Sequence, residues 1–385
     1  MLTSITLKDY TTFIKETTFD FKSTNYKILD ETNVGENRVL KGALFIGENA
    51  SGKTQVLNAI VLLLDLLLIN AEQNLAIKKS LYTKGKKFSL TYTFDIHGNN
   101  IKYSIILEDN SINSEKLYMN NELKLERLQN NGKTYFGEEN DNNEVASGLS
   151  LLRLEYYSTR FNNDPILNEW YEFLKNSLYM NCLLGGRAIK IYNPTRIEEQ
   201  SIYRYAQKNN ASKLNKFIEK LGYNSEIVFY DMPADASISI NPNKKKIGLK
   251  KNGTDVIIPI ELESTGNKAF IDSILPIIFA TKNNCMIIID EFSSGLHNEL
   301  EESLIKYFFN NSKNSQIFFT SHSTNLLDTS ILRPDQIYSF KFDSKEGTII
   351  KRFSDENPRE SQNIEKMYLN GVFDGMPKYN KAFKD

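Results

Sequence analysis

The stretch Leu40–Thr54, LKGALFIGENASGKT, constrains the chain more than any other. Its apolar run Ala43-Leu44-Phe45-Ile46 reads as a buried strand. The run enters Gly47-Glu48-Asn49-Ala50-Ser51-Gly52-Lys53-Thr54, which fits the spacing G-x-x-x-x-G-K-[ST]. The glycines permit a tight turn whose backbone N–H groups can face phosphate oxygens. Lys53 would then reach the β- and γ-phosphates, and the Thr54 hydroxyl would bind Mg2+. A helix expected over Lys53–Ile69 aims the positive end of its dipole at the same phosphates. Random sequence of this length would contain such a match in roughly one chain in 200. Here strand and helix also stand where the motif requires them, so the stretch implies a bound nucleotide.

The 385-residue chain has the composition of an ordinary globular protein, 40% hydrophobic and 25% charged. A formal net charge of -1 gives no overall basic field, so nucleic-acid binding would need a local patch. The two cysteines, Cys182 and Cys285, form no CxxC pair, and Cys285 opens an apolar strand where a core role outweighs reactivity. His97, His297 and His322 show no zinc spacing. Met1–Asp20 alternates like a strand and carries acidic residues, unlike a signal peptide. The apolar stretch Ala59–Ile69 is interrupted by Asp65 and is too short to span a bilayer. These features predict a cytoplasmic location with no membrane partner.

Periodicity divides the chain. Ser4–Leu7 and Thr17–Phe21 read as paired strands, and Lys22–Arg38 as a polar connector. Phe88–Ile96, Ile101–Glu108 and Lys116–Met119 alternate with period two between turn-forming segments, an antiparallel meander. Leu123–Gly148 is polar and reads as a surface loop or hairpin, and Leu149–Tyr157 is strand-like again. From Pro165 the pattern turns helical across Ile166–Leu183, Arg196–Asn209 and Ser212–Leu221. The aromatic residues there suit packing more than base stacking. Short strands follow at Glu226–Asp231, Ala236–Ile240, Lys244–Lys250 and Asp255–Ile260. Their lysines, Lys244-Lys245-Lys246 and Lys250-Lys251, are either a solvated face or a nucleic-acid contact. The expected division is 1–164 with the phosphate loop and a β lobe, 165–222 as a helical insertion, and 223–385 as the second half of the nucleotide unit. The fold class is α/β.

That second half carries its own chemistry. Cys285-Met286-Ile287-Ile288-Ile289-Asp290-Glu291 is a buried parallel strand by pattern, ending in two carboxylates. Asp290 is the candidate to hold Mg2+, and Glu291 to orient and deprotonate an attacking water. Ile317–Thr320 is a second apolar strand ending in Ser321-His322-Ser323, from which His322 can contact the γ-phosphate or that water. Upstream, Glu263-Ser264-Thr265-Gly266-Asn267-Lys268 opens a helix over Ala269–Ala280. Ser264 and Gly266 there are an anion site or an ordinary N-cap. Arg160 and Arg333 are surface or capping arginines, or ones that reach phosphate or a partner. His297 belongs to an interface or bonds locally.

In this order the four motifs resemble those of ABC-type ATPase heads, in the branch with Rad50, SMC, RecF and OLD-family proteins. GENASGKT is similar to the Walker A form, ESTGNK to the signature, MIIIDE to the Walker B, and FFTSHS to the switch region. The resemblance implies the head fold of a P-loop NTPase that binds ATP and Mg2+ and hydrolyses ATP. It also implies a homodimer or higher homo-oligomer, with Ser264 and Gly266 of one copy meeting nucleotide held by Lys53 of another. Asp290-Glu291-Phe292-Ser293-Ser294-Gly295-Leu296-His297 and the tail from Leu332 resemble the RloA-like, abortive-infection and retron-associated ATPases of anti-phage defence. Such proteins act with a separately encoded effector, a nuclease or toxin, and DNA or a phage component is a further expected partner. The alternative is a RecF- or SMC-like repair ATPase that binds DNA directly.

Overall fold

The computed structural model describes residues 1–69, 75–136, 140–142, 144–158, 164–184, 189–192, 211–230 and 246–376. The chain opens with the hairpin β1 (Leu2–Lys8) and β2 (Thr17–Asp20), then one helical turn, α1 (Asp30–Asn33). β3 (Gly42–Gly47) is buried along its length and delivers the phosphate loop to α2 (Lys53–Leu68). Next come β4 (Lys87–Ile96), β5 (Asn99–Glu108), β6 (Ser111–Met119), β7 (Glu122–Leu128), β8 (Asn131–Thr134) and β9 (Asn140–Asn142). With the opening hairpin they make an eight-stranded antiparallel sheet, ordered β2-β1-β4-β5-β6-β7-β8-β9. The meander therefore runs on into the polar segment 123–148, entered by a left-handed turn at Asn120-Asn121 and turned again in left-handed backbone at Gln129.

The central sheet is assembled from distant segments. After α3 (Leu151–Tyr157) and α4 (Pro165–Lys175) come β10 (Leu178–Asn181), β11 (Ile189–Ile191) and α5 (Ala211–Lys220). A small antiparallel sheet follows, β12 (Ser225–Tyr230), β13 (Lys246–Lys251) and β14 (Ile257–Pro259). The chain then runs through α6 (Thr265–Lys282), β15 (Met286–Asp290), α7 (Asn298–Asn311), β16 (Gln316–Thr320), β17 (Ile337–Asp343), β18 (Gly347–Arg352) and α8 (Ile364–Leu369). The seven-stranded order is β11-β10-β15-β16-β3-β17-β18, parallel from β10 to β17 with an antiparallel strand at each edge.

Period-two burial sorts this sheet between two cores. Ala43, Phe45, Met286, Ile288 and Phe318 face one, together with α2 and the antiparallel sheet. Leu44, Ile46, Ile287, Ile289, Ile317 and Phe319 face the other, against α6 and α7. Helix α2 lies sandwiched between the sheets, with Val56, Leu57, Ala59, Ile60, Leu63, Leu64 and Leu67 among its buried side chains. Each buried Val, Leu or Ile among them contributes about 1.5–3 kcal/mol. This burial accounts for the apolar run without a bilayer, and among the described residues no helix is long and apolar enough to cross a membrane.

Three readings of the sequence change. Leu151–Tyr157 is a helix, because Ser150 caps it and the buried Glu115 carboxylate accepts the N–H groups of Leu151 and Leu152 at 2.8 and 3.1 Å. The helix expected over Ile166–Leu183 stops at Lys175, and Leu178–Asn181 pairs in parallel with β15. An open strand edge outweighs helical periodicity there, so the first part of 165–222 joins the central sheet. Arg333 stands at the N-cap of the turn Pro334–Gln336, as a capping arginine would, but it is not at the surface. Its guanidinium is fully buried and donates to both oxygens of Asp335 at 2.9 Å, to Asp30 at 2.8 Å and to the Ile28 carbonyl. Arg160, the Arg196–Asn209 helix, the Ala236–Ile240 strand, Lys244 and Lys245 lie outside the described residues.

The Arg333–Asp335 pair fastens the start of β17 to the segment before β3. Burial raises the Asp335 carboxyl, but Arg333 and two hydrogen bonds from Thr24 outweigh it and hold the pKa below the ordinary value. Arg333→Met leaves that charge buried and unmatched, at a cost of about 3–5 kcal/mol in urea denaturation. Because the folded pKa is depressed, the stabilisation is full above the ordinary carboxylate range and is lost as pH falls through the lowered value. The gap between wild type and variant should therefore narrow in acid. An unchanged unfolding midpoint at neutral pH would contradict this role.

Candidate nucleotide site

The parallel strands β3, β10, β15 and β16 all end on one side of the central sheet, and the candidate residues sit at those ends. At the end of β3, Gly47 has φ +144°, and a Cβ there would stand 2.3 Å from the Phe340 carbonyl. Gly52 has φ +106°, and a Cβ there would meet the Thr348 and Thr12 hydroxyls at 2.5 and 2.8 Å. Both positions need glycine. Thr348 donates to the Ser51 carbonyl at 2.8 Å and its hydroxyl lies 2.7 Å from that of Thr12, from which it can accept, and Ser51 donates to the Glu48 carbonyl at 2.7 Å. The loop is thus braced from outside by β18 and the β1–β2 turn, while α2 opens without a side-chain cap. Its free first N–H groups suit an anion.

Lys53 lies back along the loop, donating to the Gly47 and Glu48 carbonyls at 3.0 and 2.7 Å. Burial lowers its pKa, with Glu291, Asp290 and Glu48 opposing the shift. Thr54 donates to Asp290 Oδ1 at 3.1 Å, so the start of α2 touches the end of β15 directly. Burial raises the Asp290 carboxyl, and the hydroxyls of Thr320 and Thr54 moderate the rise. A small hydroxyl beside a carboxylate, under a loop of backbone donors, is a donor set that fits Mg2+ and a polyphosphate.

Glu291 follows in left-handed backbone, φ +57°, an uncommon state for a non-glycine residue and one found at functional positions. Thr320 holds it there. The Thr320 hydroxyl accepts the Glu291 N–H at 2.7 Å and donates to Asp290 Oδ1 at 2.7 Å. His322 Nε2 lies 3.2 Å from Glu291 Oε2, and the His322 N–H donates to Ser293 Oγ at 3.4 Å. Both side chains are partly open to solvent, His322 more than Glu291.

The structure therefore brings Gly47–Thr54, Asp290, Glu291 and His322 together. It does not bring Ser264 and Gly266 to them. Ser264 caps α6 by accepting the Asn267 N–H at 3.2 Å, and it stands exposed with Thr265 and Gly266 beside the loop at Gly295. His297 caps α7 through its own ring nitrogen. Two members escaped the sequence reading. Thr320 looked like the last residue of a strand. Asn181 lay hidden in a helical pattern, yet at the end of β10 it donates to Asp290 Oδ2 at 3.4 Å. The terminal polar residue of each apolar strand was the available signal.

Comparison with known proteins follows this geometry. The sequence profile described as "AAA domain, putative AbiEii toxin, Type IV TA system" matches residues 43–328. The chain belongs to that family. The matched span runs from the phosphate-loop strand past the His322 loop, so the AAA domain holds every member of the candidate site. No curated protein matches the chain. Among solved structures, an SMC head bound to the C-winged helix domain of ScpA overlays with a TM-score of 0.54 at 13% identity, covering 91% of this chain and 97% of that one. The SMC head of Thermotoga maritima gives 0.47 at 16% identity, over 91% and 97%. That of Pyrococcus furiosus gives 0.49 at 12% identity, over 92% and 97%. The AAA domain here has the fold of an ABC-type ATPase head, a P-loop NTPase.

The bridging hydroxyl is open to test. Thr320→Val keeps the side-chain volume but strips the Glu291 N–H of its acceptor and Asp290 of a donor. The expected loss is about 1–3 kcal/mol in chemical denaturation, with Thr320→Ser near wild type. Equal stability of Val and Thr at this position would remove the hydroxyl from that role.

Proposed function

We propose that this chain hydrolyses ATP at a site completed by a second copy of itself, and that it is the ATP-dependent subunit of an anti-phage defence system. The 3.1 Å contact between Thr54 and Asp290 carries the first part, because it joins the phosphate loop to the carboxylate strand as one unit. In this reading, the loop Gly47, Glu48, Asn49, Ala50, Ser51 and Gly52 wraps the phosphates, its free backbone N–H groups beyond Glu48 hold them, and Lys53 adds positive charge. Thr54 and Asp290 hold Mg2+, which when bound neutralises phosphate charge. Glu291 accepts a proton from the attacking water, and His322 fixes the Glu291 carboxylate and faces the γ-phosphate. Ser264 and Gly266, exposed at the start of α6, serve the nucleotide of the other copy.

The family description, with its "putative AbiEii toxin, Type IV TA system", supports the defence reading, and a separately encoded effector is part of this proposal. The likeness to an SMC head favours the second reading, an ATPase that acts on DNA directly. The net charge of -1 leans away from it. Co-purification with the products of neighbouring genes supports defence. Tight, salt-sensitive binding of the isolated chain to plain duplex DNA supports the alternative.

Lys53→Ala should weaken ATP binding about 10- to 100-fold by calorimetry, the loss of charge-assisted hydrogen bonds. Glu291→Gln should keep its ATP and turn it over roughly 100- to 10,000-fold more slowly. Mixing inactive Lys53→Ala with inactive Ser264→Arg should restore part of the activity, since one composite site of the mixed dimer is intact. Mixtures that form heterodimers and stay inactive, or full activity in a verified monomer, would reject the shared site.

A further inference from the structure

His322 is presented by a loop, and the loop rests on a carboxyl group that the chemistry above does not use. Glu301 lies in α7 and is 1% exposed. Its Oε1 accepts the Ser321 hydroxyl at 2.8 Å, and the same hydroxyl accepts the Ser323 N–H at 3.0 Å. The residues on both sides of His322 therefore hang from one side chain. Farther along, Thr324 donates to Glu365 at 2.6 Å, and Asn325 donates to Glu302 at 3.2 Å and to the Asn298 carbonyl at 3.4 Å. These outer ties are partly exposed, whereas the Glu301–Ser321 bond is closed to water. Helix α7 also begins at the end of the loop that leaves Glu291. Glu301 thus joins the two segments that set the spacing between His322 and Glu291.

We propose that Glu301 is a positioning residue that holds His322 against Glu291. The inference rests on the reading of Glu291 and His322 as the groups that handle water. The second carboxyl oxygen, Oε2, is buried and accepts no hydrogen bond of ordinary geometry among the described residues, although the Ser323 and Asn325 side chains lie close to the carboxyl. An ionised carboxylate would leave that oxygen charged as well as unpaired, at high cost, whereas a neutral carboxyl removes the charge and with it the larger part of the penalty. Burial pushes the Glu301 pKa up, and the Ser323 and Ser321 contacts only partly oppose the shift. A neutral group of this shape at this place is what the loop needs. Glutamine supplies the same volume and an oxygen for the Ser321 hydroxyl, without charge.

The test compares kcat and KM for ATP in Glu301→Ala, Glu301→Gln, Ser321→Ala, His322→Ala and the double variant Glu301→Ala/His322→Ala, with Glu291→Gln as reference. Glu301→Ala should lower kcat roughly 10- to 100-fold with KM nearly unchanged, the scale of a misplaced catalytic group. Ser321→Ala removes the same contact from the loop side and should reproduce the effect even if the helix variant folds poorly. Glu301→Gln should return most of the wild-type kcat. In the His322→Ala background Glu301→Ala should add nothing further, since there is no imidazole left to place. Wild-type kcat in both Glu301→Ala and Ser321→Ala overturns the inference. So does a Glu301→Gln as slow as Glu301→Ala, or a full additive loss in the double variant. An active wild type with an inactive Glu291→Gln and an unaffected Glu301→Ala rejects Glu301 alone. A wild type that hydrolyses no ATP rejects the underlying reading and this inference with it.

Discussion

Everything at the candidate site depends on β16 lying in register between β3 and β15. Its residues Ile317–Thr320 pair with Gly42–Phe45 on one side, and Gln316–Phe319 with Met286–Ile289 on the other. A slip of one residue would turn Phe318 into the core now filled by Ile317 and Phe319 and would reverse every side chain of the strand. The two cores therefore lock the register. The register in turn places one hydroxyl, that of Thr320, between the Asp290 carboxylate and the Glu291 N–H. Packing and chemistry are linked through that single group.

The two ends of the phosphate-binding unit are joined in a similar way. Gly52 is pressed against Thr348 and Thr12, so the loop is shaped by β18 and the β1–β2 turn as well as by its own glycines. The same hairpin region is anchored lower down by the buried Arg333–Asp335 pair. Residues far apart in sequence thus fix the loop before any phosphate arrives. That rigidity is what lets a backbone cradle act with little reorganisation.

The parts legible in the sequence were those in which local pattern and tertiary role agree. Ala43–Ile46, Met286–Ile289 and Ile317–Phe319 are short apolar runs because buried parallel strands have no polar face to show. The meander β4–β6 was legible because one face meets α2 and the other meets water. Illegible were residues whose role is set by a distant partner. Leu178 and Met180 continue a helical pattern, yet an open edge of β15 takes them as a strand and brings Asn181 to Asp290. Leu151–Tyr157 alternates enough to suggest a strand until the Glu115 carboxylate is placed at its first N–H groups. Glu301 is one of several acidic residues at the start of an exposed-looking helix, and only the fold turns it beneath Ser321. Arg333 read as a surface or capping arginine, or one reaching phosphate or a partner, because its acceptors at Asp30 and Ile28 are some 300 residues away.

Phosphate loop, carboxylates and histidine converge within hydrogen-bond distance, while Ser264, Thr265 and Gly266 stand exposed at the head of α6. The measurement that tests this account most directly is a crystal structure of the Glu291→Gln chain with ATP and Mg2+. The account predicts phosphates against Gly47–Thr54, the metal between Thr54 and Asp290, and Ser264 of a second copy at the γ-phosphate. Nucleotide bound elsewhere, or a γ-phosphate enclosed within a single copy with Ser264 still in solvent, would contradict it.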